Sequence, residues 1–180
     1  MRIFRPLIIL LALLAAASAQ PAKSRLFTLP YEARDALRTL TKTIDNAHDR
    51  IDAAIYSFTH KTIAKHLKNA ARRGVKIRII FDRSANLRNR KSQLGYLAKY
   101  RNIETMLLAG KPYRDPDGDR ALMHMKMMVV DSRHVVLGSA NWTYSAFGKN
   151  YEVILFIDDY AAAKRLERSF ERMMRSATPY

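Results

Sequence analysis

Apolar positions recur along this chain at two spacings, and those spacings predict its elements. In "YEARDALRTLTKTIDNAHD", Ala33, Leu37, Leu40, Ile44 and Ala47 lie on one stripe of a helix. "RIDAAIYSF" reads as a strand. "HKTIAKHLKNAARRG" reads as a second helix, with Ile63, Leu67 and Ala70 on its apolar face. Arg72 and Arg73 suit its last turn and Gly74 its stop. In "VKIRIIFD" the period changes to two, with Val75, Ile77 and Ile79 alternating with Lys76 and Arg78, which predicts a strand. Strand, helix and strand within about 30 residues make a right-handed βαβ unit and a parallel pair.

The remaining segments follow the same logic. "PAKSRLFTLP" reads as an extended lead-in, and "RSANLRNRKSQ" as a loop or helix start with four basic residues and no acid. "NIETMLLAG" predicts a strand and "KPYRDPDGDRA" a turn-rich loop. The "DPDGD" within it lacks the later acidic ligand of a calcium loop, so it reads as a plain turn. "LMHMKMMVVD" and "HVVLG" pair as a hairpin around Ser132-Arg133. "NYEVILFIDD" is a further strand, and "YAAAKRLERSFERMMRS" an amphipathic helix.

The first 19 residues follow another pattern. Arg2 and Arg5 precede the apolar run Leu7–Ala17, and Ala17-Ser18-Ala19 offers a small-residue cleavage site. The run is shorter than the roughly 20 residues that span a bilayer. It reads as a secretory signal, with an uncleaved anchor as the alternative, and places residues 20–180 in the periplasm, outside the cell, or at the membrane. That stretch of 161 residues fits one domain, able to bury roughly 70% of its unfolded surface. The chain has no cysteine, which excludes disulfides. Its net charge is +16, or +14 without Arg2 and Arg5. Such an excess calls for a polyanionic partner, either nucleic acid or an anionic membrane surface.

Candidate chemistry lies in "HMKMMVVDSRHVVLGSANW". On a strand His124, Lys126, Met128 and Val130 share one face, and Met123, Met125, Met127 and Val129 the other. A sheet covered on both sides needs apolar residues on both faces. His124 and Lys126 break that rule together, which points to paired groups lining a cleft, because lysine is rarely buried without a partner. Gly138 permits a close backbone approach. Ser139 and Asn141 supply donors for a phosphate or carboxylate oxygen. Glu152 is placed to accept a hydrogen bond from the His124 imidazole, which would fix one tautomer and leave the other nitrogen free to attack. His48, His60, His66 and His134 gather no convincing ligand set, and no metal or other cofactor is called for.

His124-x-Lys126, four residues, Asp131, six residues and Gly138-Ser139-x-Asn141 resembles the HxK-x4-D-x6-GSxN signature of the phospholipase D superfamily. The segment Ile51–Asp82 is similar to the family's opening βαβ unit, and the likeness covers residues 26–175. It is closest in kind to single-motif bacterial nucleases, periplasmic or membrane-associated. The resemblance implies an α/β fold with a mixed central sheet flanked by helices on both faces. It also implies a phosphodiesterase that forms a covalent phosphohistidine. With one motif per chain, two copies would form a homodimer and pool His124, Lys126 and Asn141 in one site. One His124 would be the nucleophile and the other the general acid and base. Lys126 and Asn141 would balance phosphoryl charge, Ser139 would add a hydrogen bond to the phosphate, and Glu152 would orient the imidazole. Asp131 and Gly138 would be structural. Two neighbouring imidazoles sharing one proton imply a bell-shaped pH profile.

Substrate choice stays open at this level, because fold and motif do not fix it. One reading is an endonuclease on DNA with little sequence preference, with RNA as an open alternative substrate. Basic residues on and after the βαβ unit (Lys76, Arg78, Arg83, Arg88, Arg90, Lys91) support it, with Tyr56, Phe58, Trp142 and Tyr144 as base-stacking candidates against a core-packing reading. Another is a hydrolase of cardiolipin or similar anionic phospholipid, for which no lipid-inserting segment is evident. The third is a nucleic-acid-binding protein with a relic site.

Overall fold

The computed structural model describes residues 23–111 and 121–180. The N-terminal signal and the "DPDGD" turn lie outside the described residues.

The predicted βαβ unit forms as read. Strand β2 (Arg50–Ile55) leads through helix α2 (Lys61–Arg72) to strand β3 (Lys76–Asp82), and β2 and β3 pair in parallel. Helix α1 (Ala33–Asp45) precedes them, and Ala36, Leu40 and Ile44 are fully buried on its inner face. Gly74 ends the α2 segment at φ +105°, a left-handed conformation that costs glycine little.

Strand β1 (Lys23–Leu29) corrects the lead-in reading: it is an edge strand, paired antiparallel with β7 (Glu152–Asp158). Its sequence is ambiguous because only Phe27 and Leu29 face the core, while Leu26 stays exposed. After β3 come two short helices, α3 (Arg83–Asn86) and α4 (Leu94–Leu97), and then strand β4 (Ile103–Leu108). Strands β5 (Lys126–Val130) and β6 (His134–Gly138) form the predicted hairpin. Its turn begins one residue earlier than read. Asp131 and Ser132 both have positive φ, and Arg133 N–H closes onto Val130 O at 3.1 Å. Helix α5 (Tyr144–Gly148) precedes β7, helix α6 (Tyr160–Met174) follows it, and β8 (Thr178–Pro179) ends the chain.

The strands form one mixed sheet in the order β1-β7-β6-β5-β2-β3-β4-β8. Helices α1, α2, α4 and α5 cover one face over a core that includes Ile51, Ile77, Met128 and Trp142. Helix α6 covers the other over Ile80, Met127, Val129 and Phe170. The expected α/β sheet with helices on both faces is therefore present.

Two polar clusters fix the sheet where apolar packing cannot. Asp52 is 1% exposed on β2 and receives Arg78 Nε at 2.7 Å and Nη2 at 2.8 Å. Arg78 also reaches Glu171 on α6 at 2.7 Å. The hydrogen bond to Asp52, ahead of its other interactions, raises the Arg78 pKa above its ordinary range. Arg78 therefore holds sheet to helix, and its expected place beside a substrate cleft is a miss.

Asp131 is the second anchor. Its carboxylate accepts the backbone N–H of His48, Asp49 and Arg50, each at 2.9 Å, and so ties the hairpin turn to the start of β2. Burial alone would raise its pKa, but these three donors outweigh it and hold the group below the ordinary carboxylate value. A depressed folded pKa contributes stability above the unfolded value of about 3.9, lost as pH falls through the folded one. We expect Asp131→Asn to cost about 1–3 kcal/mol at neutral pH, toward the low end because water screens a partly solvated carboxylate. Urea unfolding at several pH values should show the gap between variant and wild type closing below about pH 4. A gap that persists in acid would mean that charge plays no part.

Candidate active site

The predicted residues lie at one end of the sheet, beyond the C-terminal ends of the parallel strands β2 and β3. That end is where open α/β sheets place ligands, since the crossing helices leave a crevice there. Lys126 begins β5 opposite Ile55, the last residue of β2. It is 8% exposed, and its Nζ donates to His124 O at 2.9 Å. Tyr56 N–H donates to Met125 O at 2.9 Å, extending the β2–β5 contact past the strand ends. His124 precedes β5 and is exposed to solvent. The Tyr56 ring meets its imidazole edge-on at 4.6 Å between centroids and lies 5.1 Å from Lys126 Nζ. The imidazole is thus exposed and the ammonium buried, with His124 just before the strand on which the alternation had placed both.

Burial lowers the Lys126 pKa from its ordinary 10.5, and the charge of Glu152 opposes that shift. Asn141 lies just beyond β6. Its Oδ1 accepts from Ser57 N–H at 3.2 Å, so the amide is oriented, and Nδ2 makes no hydrogen bond among the described residues.

Three expectations are altered. Glu152 is not hydrogen-bonded to His124 within the chain, because β6 lies between β7 and the strand that His124 precedes. Two strand spacings, about 9–10 Å, separate them. Glu152 instead accepts from Ser139 Oγ, and from Asn150 Nδ2 at 3.4 Å. The Ser139 hydroxyl therefore gives its proton to Glu152, not to a free pocket, and its oxygen accepts Val153 N–H at 3.0 Å. The close approach that requires Gly138 is made by the β7 backbone, since a Cβ there would stand 2.2 Å from Val153 O.

The aromatic candidates divide. Phe58 and Trp142 are core residues, 0% and 2% exposed, packed edge-to-face at 4.9 Å. Tyr56 reaches the site. Tyr144 is exposed and stacks on the buried His60 at 4.1 Å. Lys76 also falls outside the site, at the opposite end of β3. Among the described residues no three histidine, aspartate or glutamate side chains gather where they could hold a metal ion.

Sequence reasoning missed the groups that position His124. Asp82 is 1% exposed and caps α3 by accepting Ala85 N–H at 2.9 Å. Its other oxygen accepts Met123 N–H at 3.0 Å, one residue before His124. Asn86 donates to Tyr56 O at 2.7 Å and so pins the exit of β2. An aspartate immediately before "RSAN" is an N-cap signal, but its second bond crosses 41 residues and no local pattern announces it.

A groove of about 890 Å³ opens beside His124. Arg83, Lys111, Arg172 and Arg175 line it, and its apolar wall includes Leu108, Leu122, Met123 and Met173. No acidic side chain lines it among the described residues.

The same arrangement of elements recurs in known proteins. NucT from Helicobacter pylori is 41% identical and superposes with a TM-score of 0.84 over 88% of this chain and 99% of that one. Nuc from Salmonella typhimurium, a phospholipase D family member, is 26% identical with a TM-score of 0.73, covering 88% and 98%. The mitochondrial cardiolipin hydrolase of Xenopus laevis is 31% identical over 159 residues, 88% of this chain and 70% of that protein. The chain spans only 53% of the human cardiolipin hydrolase. Residues 40–174 match the family model for the cardiolipin synthase, PLD-like domain. With that match running from α1 to the end of α6, the chain belongs to the phospholipase D superfamily and is one of its phosphodiesterases.

Proposed function

We infer that this chain is an endonuclease that cuts DNA without a metal and with little sequence preference. The observation that carries this reading is the groove at His124, which gathers four cations and no acid among the described residues. A polynucleotide places phosphates on both sides of the one being cut, so cations beyond the reacting group are used by that substrate. A chain of net charge +16 attracts such a substrate at long range.

The chain carries one copy of the motif, and we infer that two copies build one site. A His124 ring nitrogen attacks phosphorus and the P–O bond to the leaving group breaks. The partner copy's imidazolium gives its proton to that oxygen. Water then attacks phosphorus, the P–N bond breaks, and the partner copy's imidazole takes the water's proton. The Lys126 ammonium and Asn141 Nδ2 face the charge on the phosphoryl oxygens. In this reading Ser139 acts through its bond to Glu152 and stays off the phosphate.

The apolar wall of the groove favours a second reading, hydrolysis of an anionic phospholipid such as cardiolipin. Of the four named apolar wall residues, Leu122 is exposed at 42% and Met123 is nearly covered at 5%. Incubation of the protein with plasmid and with cardiolipin vesicles in EDTA separates the two. We expect nicked and linear plasmid and unchanged lipid. Lipid loss beside intact plasmid would reverse the assignment. Co-assembly with excess His124→Ala chains tests the shared site: activity should fall as the square of the wild-type fraction, whereas independent sites would give a straight line.

A further inference from the structure

A second cationic groove lies between α1 and the start of β1 and β6. It encloses about 490 Å³, and Arg25, Arg38, Lys42 and His134 line it. Thr39, Thr43 and Asn46 from the same face of α1 add polar groups, and Lys23 borders the adjoining hollow. Arg25 is steadied by the Phe27 ring, 4.6 Å from its guanidinium carbon. Arg38 meets Asp35 through one nitrogen at 2.7 Å. Lys23, Arg25 and Lys42 form no ion pair among the described residues, and the acid at the rim, Asp158, is engaged by Arg133 and stands 4.0 Å from His134. Lys23, Arg25 and Lys42, which lack such partners, repel one another, and an anion relieves that cost.

This groove is remote from the catalytic end. His134 begins β6 and Gly138 ends it, so about 13 Å of strand, at about 3.3 Å per residue, separates the groove from the Gly138-Ser139 turn. No phenylalanine, tyrosine or tryptophan lines the part formed with α1. In the sequence Lys23 comes six positions after Ala17, where the apolar run ends. Residues 1–22 carry Arg2 and Arg5 and no acid, so like charge excludes that segment as the occupant.

We propose that this groove binds the phosphate headgroups of anionic phospholipid. It seats the domain on a membrane surface with His124 directed away from the bilayer, toward soluble substrate. The proposal does not depend on which phosphodiester the active site cuts.

The test is flotation of the full chain with vesicles of zwitterionic lipid alone and with added anionic phospholipid, at two salt concentrations. We expect tighter binding to the anionic vesicles, weakening as salt rises. The Arg38→Glu/Lys42→Glu variant should lose at least about tenfold of that preference, since each cation near an anionic surface contributes measurably. Its cleavage of a short soluble oligonucleotide should be unchanged, which also verifies folding. Arg165→Glu/Arg168→Glu on α6 has the same net charge and should keep the preference. Equal loss in both variants would reduce the effect to overall charge and overturn the proposal, as would a wild type that does not distinguish the vesicles. Weaker binding of long DNA with unchanged vesicle binding would make the groove a polynucleotide track and overturn it too. A wild type that cuts lipid and not plasmid would sink the nuclease reading while leaving this one standing.

Discussion

Replacing His124 by alanine is expected to reduce phosphodiester cleavage by about 10⁴-fold or more, the scale of losing a covalent nucleophile. His124 is the solvent-exposed imidazole beside the Lys126 ammonium, held at the mouth of the cationic groove. Its neighbours are the edge of Tyr56 and the backbone on either side, so the deletion opens no buried cavity. Stability should therefore stay within about 0.5 kcal/mol of wild type, as for surface substitutions away from structural anchors. Affinity for DNA should persist because Arg83, Lys111, Arg172 and Arg175 remain. Wild-type protein denatured in alkali during turnover should carry a phosphoryl adduct on the peptide containing His124. The P–N bond survives base and breaks in acid, so an acid quench should remove the adduct. The pH profile of the wild type should be bell-shaped, since one imidazole must be neutral while its twin is charged. Cleavage that survives in the alanine variant, or an adduct on another peptide, would refute the assignment.

Much of this site could be read in the sequence because its chemistry conflicts with its surroundings. His124 and Lys126 stand out where strand alternation demands apolar side chains, and Gly138-Ser139-x-Asn141 follows at a fixed distance set by the hairpin. The βαβ unit was legible for a related reason: the period changes from 3.6 to 2 at Gly74, and each half is long enough to show it. What escaped the sequence depends on contacts remote along the chain. Strand β1 pairs with β7 more than 120 residues away, and its own pattern has only Phe27 and Leu29 to declare it. Asp82 and Asn86 position the site through hydrogen bonds to backbone atoms, a role open to any short polar residue and therefore silent in the sequence. Helices α4 and α5 are four and five residues long, too short for periodicity to register. Arg78 was misplaced because charge alone does not reveal which acid a cation meets, and Asp52 lies one strand away at the facing position. For Phe58 and Trp142 the core-packing alternative holds, and the sequence left it open because position after a strand end does not tell an outward ring from one turned under the sheet.

Lys126→Met should lower cleavage by about 10³-fold, the loss that follows removal of a cation facing developing negative charge in a water-poor site. The same change should leave stability equal to wild type or higher. Lys126 is 8% exposed, and its ammonium donates to one backbone oxygen, so its burial opposes folding. Methionine matches its stem and removes the charge, which makes lost activity with retained or increased stability the signature of a group kept for function. Thermal unfolding and single-turnover cleavage measure the two quantities independently. The pH dependence adds a sharper check. Burial lowers the Lys126 pKa below 10.5, so the working, protonated form is lost at lower pH than for a solvated lysine, and activity should decline early on the alkaline side. Glu152 opposes that shift by its charge. Glu152→Gln should therefore lower the Lys126 pKa further and move the alkaline decline to lower pH. Lys126→Arg, which cannot lose its proton in this range, should keep only the alkaline limb set by the shared histidine proton, at its residual rate. An alkaline side that is unchanged in both Glu152→Gln and Lys126→Arg would show that the shared histidine proton alone sets it and that no Lys126 ionisation falls in the working range.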